Sequence, residues 1–224
     1  MLENTMNEET KVISMEEKQA EPVQETKKEN EDMITLSKPY RFEGMDYTEI
    51  DLSGIRKLTI KDAIDAQKQV FRDKEVAAAA LSETSTAFAR YIAAKATGKP
   101  IEFFKLAPRR LSRRVVQTVQ SVMNMSTDTE EHIMQFEKPY LFEGKEYTEI
   151  DLSGVDDITS MNESEAENRL VRAGITITDT STLYLYSCII ASMATGLPEE
   201  FFTGLPFEEV IKLRVQVNDS AFFE

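Results

Sequence analysis

The chain contains the same segment twice. Residues 38–54 read KPYRFEGMDYTEIDLSG and residues 138–154 read KPYLFEGKEYTEIDLSG, so 14 of 17 positions are identical at an offset of 100. A second pair of segments, ATGKPIEFF at 96–104 and ATGLPEEFF at 194–202, shares 7 of 9 positions at an offset of 98. A period of about 100 residues is the length of a small domain rather than of a solenoid repeat. The sequence therefore predicts two similar domains in tandem.

Charge divides the chain into three blocks. Residues 1–32 carry 10 acidic and 4 basic residues, with no aromatic residue and no sustained apolar period. We predict that this acidic segment is disordered, because it has too little apolar surface to offset the entropy of ordering. Residues 33–126 carry 10 acidic and 16 basic residues, whereas residues 127–224 carry 20 acidic and 6 basic residues. The two predicted domains are therefore a basic copy 1 (33–126) and an acidic copy 2 (127–224).

Each copy begins with the pattern of a β-hairpin. In copy 1, apolar residues alternate with polar ones from Ile34 to Phe42, and the alternation resumes from Thr48 to Leu52. Gly44 stands between the two runs, where glycine permits the positive φ of a tight turn. Copy 2 repeats this pattern from 134 to 152.

Helical patterns follow each hairpin. Thr59 with Asp62 in copy 1, and Ser160 with Glu163 in copy 2, are typical of a helix start with an acid in the first turn. Later helix ends and starts are marked by Gly98, Pro108, Gly196 and Pro206. We predict an α+β fold of two similar small domains, each an N-terminal β-hairpin packed on about three to four α-helices.

The chain has few residues of the kinds that catalyse reactions. Its one histidine, His132, lies at the junction of the copies, and its one cysteine, Cys188, lies in a stretch that is apolar nearly all round. These counts exclude an internal disulfide, a thiolate-rich metal cluster and a His-rich zinc site. We expect no catalytic residue, no cofactor and no metal ion, and we expect the Cys188 thiol to be buried and inert.

The repeated acids are the other candidates for chemistry. Glu49 and Asp51, which recur as Glu149 and Asp151, are a pair of carboxylates of the kind used in general acid–base catalysis. They alternate with apolar residues along a predicted strand, however, and so share its solvated face. We interpret them as surface residues.

The strongest candidate for a binding site is a run of basic residues in copy 1. Between positions 103 and 118 there is no acidic residue, and the run comprises Lys105, Arg109, Arg110, Arg113 and Arg114. On a helix that begins near Pro108, the arginines form a basic stripe, which suits a nucleic acid, a membrane surface or an acidic protein surface. We favour an acidic protein surface, because Glu208 and Glu209 stand at the matching place in copy 2.

The opposite charges of the copies predict self-association. The basic copy of one chain would pack on the acidic copy of the same or a neighbouring chain, and contacts of this heterologous kind build rings or open arrays. The sequence between the copies is typical of a flexible join up to Glu131, so independent motion of the two domains is the expectation. No run of about 18 apolar residues occurs, so no membrane-spanning segment is expected.

The repeated block resembles a family of viral assembly proteins. The pattern K-P-Y-x-F-E-G-x-x-Y-T-E-I-D-L-S-G, followed by helices, is similar to the small tail assembly chaperones of long-tailed bacteriophages, especially of contractile-tailed phages and prophages. The resemblance covers residues 33–106 and 133–204 and is strongest at the hairpin. Members of that family usually consist of one such domain, so this chain looks like a tandem duplication.

The resemblance implies a non-enzymatic role. Such chaperones bind the helical tape-measure protein, keep its apolar faces from aggregating, help to recruit tail tube subunits and leave as the tail is completed. The implied location is the host bacterial cytoplasm, and the protein is not expected in the mature virion. The candidate partner-binding residues are Phe103, Phe104, Arg109, Arg110, Arg113, Arg114, Phe201 and Phe202.

Alternatives remain open at this point. The phenylalanine pairs either contact the partner or close the core below a helix end. The protein as a whole is alternatively a structural tail component that stays in the particle, or a nucleic-acid-associated regulator that uses the Arg109–Arg114 helix.

Overall fold

The computed structural model describes residues 32–73, 82–124, 132–177 and 179–218. The predicted disordered segment, up to residue 31, and the predicted flexible join, from Ser126 to Glu131, lie outside the described residues. Asp32, which the sequence analysis assigned to the acidic segment, is buried and accepts a hydrogen bond from Arg56 Nε at 2.6 Å. Within the described ranges the chain forms two similar α+β domains, as the repeat predicts.

Copy 1 consists, in its described residues, of a hairpin followed by helices. The antiparallel hairpin comprises β1 (Met33–Phe42) and β2 (Met45–Asp51). The helices, in chain order, are a 3-10 turn (Ser53–Lys57), α1 (Ile60–Arg72), a second 3-10 turn (Ser82–Thr84), α2 (Thr86–Thr97), the short α3 (Ile101–Lys105) and the long α4 (Arg109–Met123).

Copy 2 repeats this order of elements. Its hairpin comprises β3 (Ile133–Phe142) and β4 (Lys145–Asp151). The helices are a 3-10 turn (Ser153–Asp157), α5 (Ser160–Arg172), a 3-10 turn (Thr180–Thr182), α6 (Tyr184–Thr195), α7 (Glu199–Thr203), a 3-10 turn (Phe207–Glu209) and α8 (Val210–Asn218). The described part of the last helix is therefore shorter than in copy 1 and starts with a 3-10 turn.

The starts of α1 and α5 follow the sequence prediction in part. The backbone N–H of Thr59 donates to Asp62 Oδ2 at 2.9 Å, which completes the predicted N-terminal cap of α1. In copy 2, α5 begins at the predicted Ser160 with Glu163 in its first turn, and its cap is the preceding residue. The cap is Thr159, which donates its N–H to Asn162 Oδ1 at 3.0 Å and accepts from the N–H of Asn162 at 3.3 Å. Thr159 occupies the position of Thr59 at the offset of 100.

The two repeated segments pack on each other within each copy. The ring of Phe103, from the Glu-Phe-Phe segment, lies edge-on to the hairpin rings of Tyr40, Phe42 and Tyr47, with centroids 4.9–5.2 Å apart. The Tyr40 hydroxyl also donates to the backbone oxygen of Phe103 at 2.9 Å. Phe201 makes the same ring contacts in copy 2, with Tyr140, Phe142 and Tyr147. The sequence is therefore repeated most closely where the hairpin meets the short helix.

A close backbone approach requires the glycine that ends each DLSG segment. A Cβ atom on Gly54 would lie 2.1 Å from the carbonyl oxygen of Ala96, and one on Gly154 would lie 2.4 Å from that of Ala194. Both carbonyls are backbone groups at the ends of α2 and α6, so they cannot move aside as a flexible side chain could. The 3-10 turns after the hairpins thus lie directly on these helices.

The two copies are also in direct contact with each other. Thr59 and Pro206 form an antiparallel bridge. Beside it, the N–H of Ile60 donates to the oxygen of Leu205, and the N–H of Phe207 donates to the oxygen of Leu58, each at 2.9 Å. The first N–H groups of a helix have no partner within the helix, so copy 2 satisfies a backbone donor of α1 that would otherwise need water.

Side chains extend this contact. The Gln67 side chain donates from Nε2 to the Thr182 oxygen at 2.9 Å and accepts at Oε1 from the Tyr184 N–H at 3.1 Å. Glu83 pairs with Arg214 at 2.7 Å and accepts from the Tyr184 hydroxyl at 3.3 Å. Burial, with the nearby Glu83 carboxylate as a second cause, raises the pKa of Tyr184 well above its usual value. The expectation of independently moving domains is therefore wrong.

The reason lies in the apolar face of α1. Ile60, Ala63 and Ile64 are buried in the assembled chain, and α1 contacts both α6 and the 3-10 turn after Pro206. A flexible join does not keep two domains apart when one of them has an apolar face to bury, because burial of apolar surface holds the domains together. The arginine stripe of α4 is not what pairs with copy 2: Arg110 and Arg114 bond to β1 of their own copy.

We predict that Gly54→Ala destabilises the protein by about 1–3 kcal/mol, because the new methyl group would overlap the Ala96 carbonyl. Urea unfolding followed by circular dichroism measures this loss. The control is Glu49→Ala on the exposed face of β2, which should change stability by less than about 0.5 kcal/mol. Equal midpoints for the two variants would contradict the close approach.

Truncation of Tyr184 should uncouple the two copies. Tyr184 is 1% exposed, so Tyr184→Ala is expected to cost about 3–5 kcal/mol and to split one unfolding transition into two. Denaturant titration with circular dichroism and tyrosine fluorescence checks this. Leu141→Ala, at a residue that is 68% exposed, is the control and should leave a single transition at an unchanged midpoint. A single, unshifted transition for Tyr184→Ala would show that the copies are not coupled through this residue.

Candidate binding site beside the arginine helix

The four candidate arginines lie on the exposed face of α4. Pro108 precedes the helix, and Leu111 and Val115 face the core at 1% and 2% exposure. The exposed side chains include those of Arg109, Arg110, Arg113 and Arg114. The helix is thus amphipathic, with its cationic side directed away from the core of copy 1.

A groove runs between this helix and β1. It is a cavity of about 360 Å³, and we call it the basic groove; its lining residues are Thr35, Leu36, Ser37, Lys38, Pro39, Tyr40, Pro108, Arg110, Leu111 and Arg114. Leu36 and Pro39 supply accessible apolar surface, and Leu111 lies buried behind them. The cations of Lys38, Arg110 and Arg114 supply positive charge at the same place.

The groove exists because β1 departs from regular pairing. Thr35 pairs with Glu49 and Tyr40 pairs with Tyr47, so β1 has three more residues than β2 between these two pairs. Such an irregularity bends a strand and exposes part of its backbone. Arg114 Nη1 donates to the Thr35 oxygen at 2.7 Å, which fixes the helix to the irregular part of the strand. Pro39 has no N–H to donate and is tolerated there.

Copy 2 has the same strand irregularity but a different charge arrangement. Lys212 Nζ donates to the Gln135 oxygen at 2.8 Å, in the place of the bond between Arg114 and Thr35. Lys212 is buried and pairs with the buried Glu209 at 2.9 Å. Burial raises the pKa of Glu209, while Lys212 acts in the opposite direction. Among the described residues, Arg114 has no acidic partner of this kind, so the positive charge is exposed in copy 1 and neutralised in copy 2.

The phenylalanine pairs do not belong to this groove. Phe103, Phe104, Phe201 and Phe202 are at most 2% exposed, and each pair packs edge-on within its own copy. In the described arrangement they close the core below the ends of α2 and α6. A partner would have to open the domain to reach them.

The repeated aspartates have a local structural role. Asp51 Oδ1 accepts the N–H of Ser53 at 2.8 Å, and Asp151 Oδ1 accepts that of Ser153 at 2.8 Å. Hydrogen bonds from these serines lower the pKa of both carboxyls. Each aspartate therefore forms the turn that leads from the hairpin into the helices, on an exposed surface.

The single histidine and the single cysteine are not among the residues that line the basic groove. His132 Nε2 lies 3.5 Å from Asp156 Oδ2 at the start of copy 2. Cys188 is buried in α6, and burial raises the pKa of its thiol. In the described ranges, no group of three or more His, Cys, Asp or Glu residues is placed to hold a metal ion. No helix of those ranges is long and apolar enough to cross a membrane.

Sequence reasoning found the arginines but missed the strand side of the groove. Leu36, Ser37 and Pro39 were interpreted only as parts of a hairpin. The available signal was Ser37-Lys38-Pro39, three residues that break the alternation of β1 and include a residue without an N–H.

We predict that Cys188 does not react with a thiol reagent in the folded protein. A cysteine nucleophile requires the thiolate, and burial disfavours both the thiolate and the approach of the reagent. Labelling by an aromatic disulfide reagent at pH 8 should be complete within minutes in denaturant but absent over the same period in native buffer. Fast labelling in native buffer would point to a reactive thiol.

Comparison with known proteins identifies no relative of this chain. Searches against protein-family models, curated proteins and solved structures find no match to this chain. The function of the basic groove is therefore argued from its own residues, together with the resemblance carried by the repeated block.

Proposed function

We propose that this chain is a non-enzymatic tail assembly chaperone that binds the tape-measure protein, keeps it soluble and helps to recruit tail tube subunits. The basic groove of copy 1 is the binding site for a helical segment of that client. The single observation that carries the proposal is the combination, in one open groove, of apolar surface and exposed arginines. The resemblance of the hairpin block supplies the class of client.

The chemistry of the groove suits an amphipathic helix. A helix that binds in a groove places apolar side chains at i, i+3, i+4 and i+7 against an apolar floor. Leu36 and Pro39 provide such a floor, and Arg110 and Arg114 can pair with acids on the flank of the helix. A cavity of about 360 Å³ accommodates only a few side chains, so a long client would bind several chaperone molecules.

The difference between the copies supports a single client site per chain. The cation of copy 2 that corresponds to Arg114 is Lys212, which is buried against Glu209. An acidic side chain of a client gains nothing from a cation that is already paired and buried. Copy 2 instead covers the apolar face of α1, and its negative charge helps to keep the complex in solution.

The net charge weighs against a nucleic-acid partner. The chain has a formal net charge of −14, and 20 of its 40 acids lie in copy 2, which is packed against the arginine-bearing copy. Binding to nucleic acid depends on releasing counterions from phosphates through Lys and Arg contacts.

The decisive experiment is co-expression with the tape-measure-like protein of the same genome. We expect a client that is insoluble alone to become soluble and to co-elute with this chain. In the variant Leu36→Asp/Arg114→Glu, client binding should fall about tenfold or more, since a charge-assisted hydrogen bond is worth about 1.5–3 kcal/mol and the apolar floor is also disrupted. Pull-down at graded client concentrations measures the change.

The matched control is Met45→Asp/Lys61→Glu. It makes the same changes in charge and apolarity at exposed positions outside the groove lining, and it should keep client binding. Loss of binding in both variants, or in neither, would exclude the groove as the site. A client that stays insoluble with the unaltered chain would exclude the chaperone role, and detection of this chain in purified tails would identify a structural component instead.

A further inference from the structure

The contact between the copies uses a different face of each copy. We call the copy 1 side face A; its contact residues include Arg56, Leu58, Gln67, Glu83 and Phe88. We call the copy 2 side face B; its contact residues include Tyr184, Leu205, Phe207, Glu208 and Arg214. Two copies of one fold that meet through unlike faces make a heterologous contact, and such a contact leaves one face of each kind unused.

The unused faces can be located by the offsets of the repeat. The corresponding helices before the last one are equal in length: α1 and α5 have 13 residues, and α2 and α6 have 12. Face A of copy 2 therefore comprises the counterparts Asp156, Ile158, Glu167, Ser181 and Tyr186. Face B of copy 1 comprises the counterparts Thr86, Ala107, Arg109, Arg110 and Val116.

Face A of copy 2 is an open cavity. Its volume is about 650 Å³, and the lining that matters here is Asp156, Ile158, Glu163, Asp179, Ser181 and Tyr186. Three of these side chains are acidic. Burial, together with Glu163 and Glu167, raises the pKa of Tyr186. The cavity of copy 2 thus lies at the position that corresponds to the surface by which copy 1 contacts copy 2. Its lining is negatively charged.

Face B of copy 1 is exposed and positive. Arg109 and Arg110 stand in the positions of the buried Phe207 and the half-buried Glu208. Leu106, just before them, is 69% exposed and adds an apolar side chain to this surface. Arg110 bonds to the Ser37 hydroxyl, and in the described residues neither arginine forms an ion pair.

One ion pair of the existing contact has a counterpart with exchanged charges. Arg56 bonds to Asp32 at 2.6 Å and also reaches Glu208 across the interface at 3.8 Å. The counterpart of Arg56 is Asp156, that of Asp32 is His132, and that of Glu208 is Arg110. His132 lies 3.5 Å from Asp156. Asp156 is 54% exposed in its side chain, so it is accessible to an arginine that approaches as Glu208 approaches Arg56.

Other positions changed on both faces in a matching way. Gln67 of α1 bonds to Thr182 and Tyr184 of copy 2, and its counterpart is Glu167. Phe207 has Arg109 as its counterpart. Gln67 and Phe207, which are uncharged and belong to the contact within the chain, thus correspond to an acid on face A of copy 2 and to a base on face B of copy 1. Exposure to solvent would favour charged residues of either sign on each face. A contact between the two faces requires opposite charges, acidic on one face and basic on the other.

We propose that chains associate head to tail, with face B of copy 1 in one chain bound to face A of copy 2 in the next. The contact repeats the geometry of the contact between copies but is held mainly by charge. It is therefore weaker than the contact within the chain and is reversed by salt, which screens exposed pairs. This proposal does not rest on the proposed function. Arg110 also lines the basic groove, but the association test contains no client, and the client experiment changes Leu36 and Arg114.

The test uses two full-length variants with one disabled face each. Arg109→Glu/Arg110→Glu disables face B of copy 1, and Asp156→Lys/Glu163→Lys disables face A of copy 2. Light scattering at low ionic strength should give a mass for the unaltered chain that rises above the monomer mass of 25.5 kDa with concentration and returns to it in about 0.5 M salt. Each variant alone should remain monomeric.

Mixing the two variants provides the sharpest outcome. Each retains the face that the other lacks, so a 1:1 mixture should form a complex of twice the monomer mass and should not grow further. The control Arg41→Glu/Arg72→Glu makes the same charge change at exposed positions outside the groove lining and the contact residues of both faces, and it should associate like the unaltered chain. Circular dichroism verifies that all variants are folded. A monomeric unaltered chain at low salt, or a mixture that stays monomeric, would overturn the proposal.

Discussion

The ring of Phe103, inserted among the aromatic side chains of the first hairpin, is the contact on which each domain depends, and Phe201 has the same place in copy 2. A two-stranded hairpin is marginally stable in water and needs a packed face to persist. The edge-on ring contacts supply that face, and the hydrogen bond from Tyr40 to the Phe103 oxygen fixes the short helix against the strand. Gly54 then brings the following turn against α2, so the hairpin, turn and helix end form one unit.

Local chemistry made most of this fold predictable. The alternation of β1 and β2, the glycine turn and the cap at Thr59 are properties of short segments, and the structure confirms them. The contact between the copies was not predictable in this way. It joins backbone groups about 145 residues apart, such as Ile60 and Leu205, and no local pattern identifies such partners. A comparison of the copies held a clue, because Ile60 and Ile64 correspond to Ser160 and Ser164. At these two positions only copy 1 has apolar side chains.

The candidate site was predictable on its helical side alone. The absence of acids around Arg109 to Arg114 is visible in the sequence, and the 3.6-residue period places the arginines opposite Leu111. The strand side depends on an irregular pairing near Pro39, which sets the space between β1 and α4. The role of the phenylalanine pairs could not be predicted from the sequence either. An aromatic pair at a helix end is equally compatible with a binding surface and with a closed core, and only packing distinguishes the two.

The two copies differ in sequence at faces A and B, which are buried in the contact within the chain but exposed on the outside of it. Within the chain, faces A and B are joined by backbone hydrogen bonds and buried apolar groups, as at Phe207, and the domains stay together. The same faces on the outside have become charged, with acids around Asp156 and bases at Arg109 and Arg110. An apolar contact would persist, whereas a charged one forms and separates with concentration and ionic strength. Duplication followed by this exchange of groups would let one contact geometry serve both a permanent joint and a reversible one.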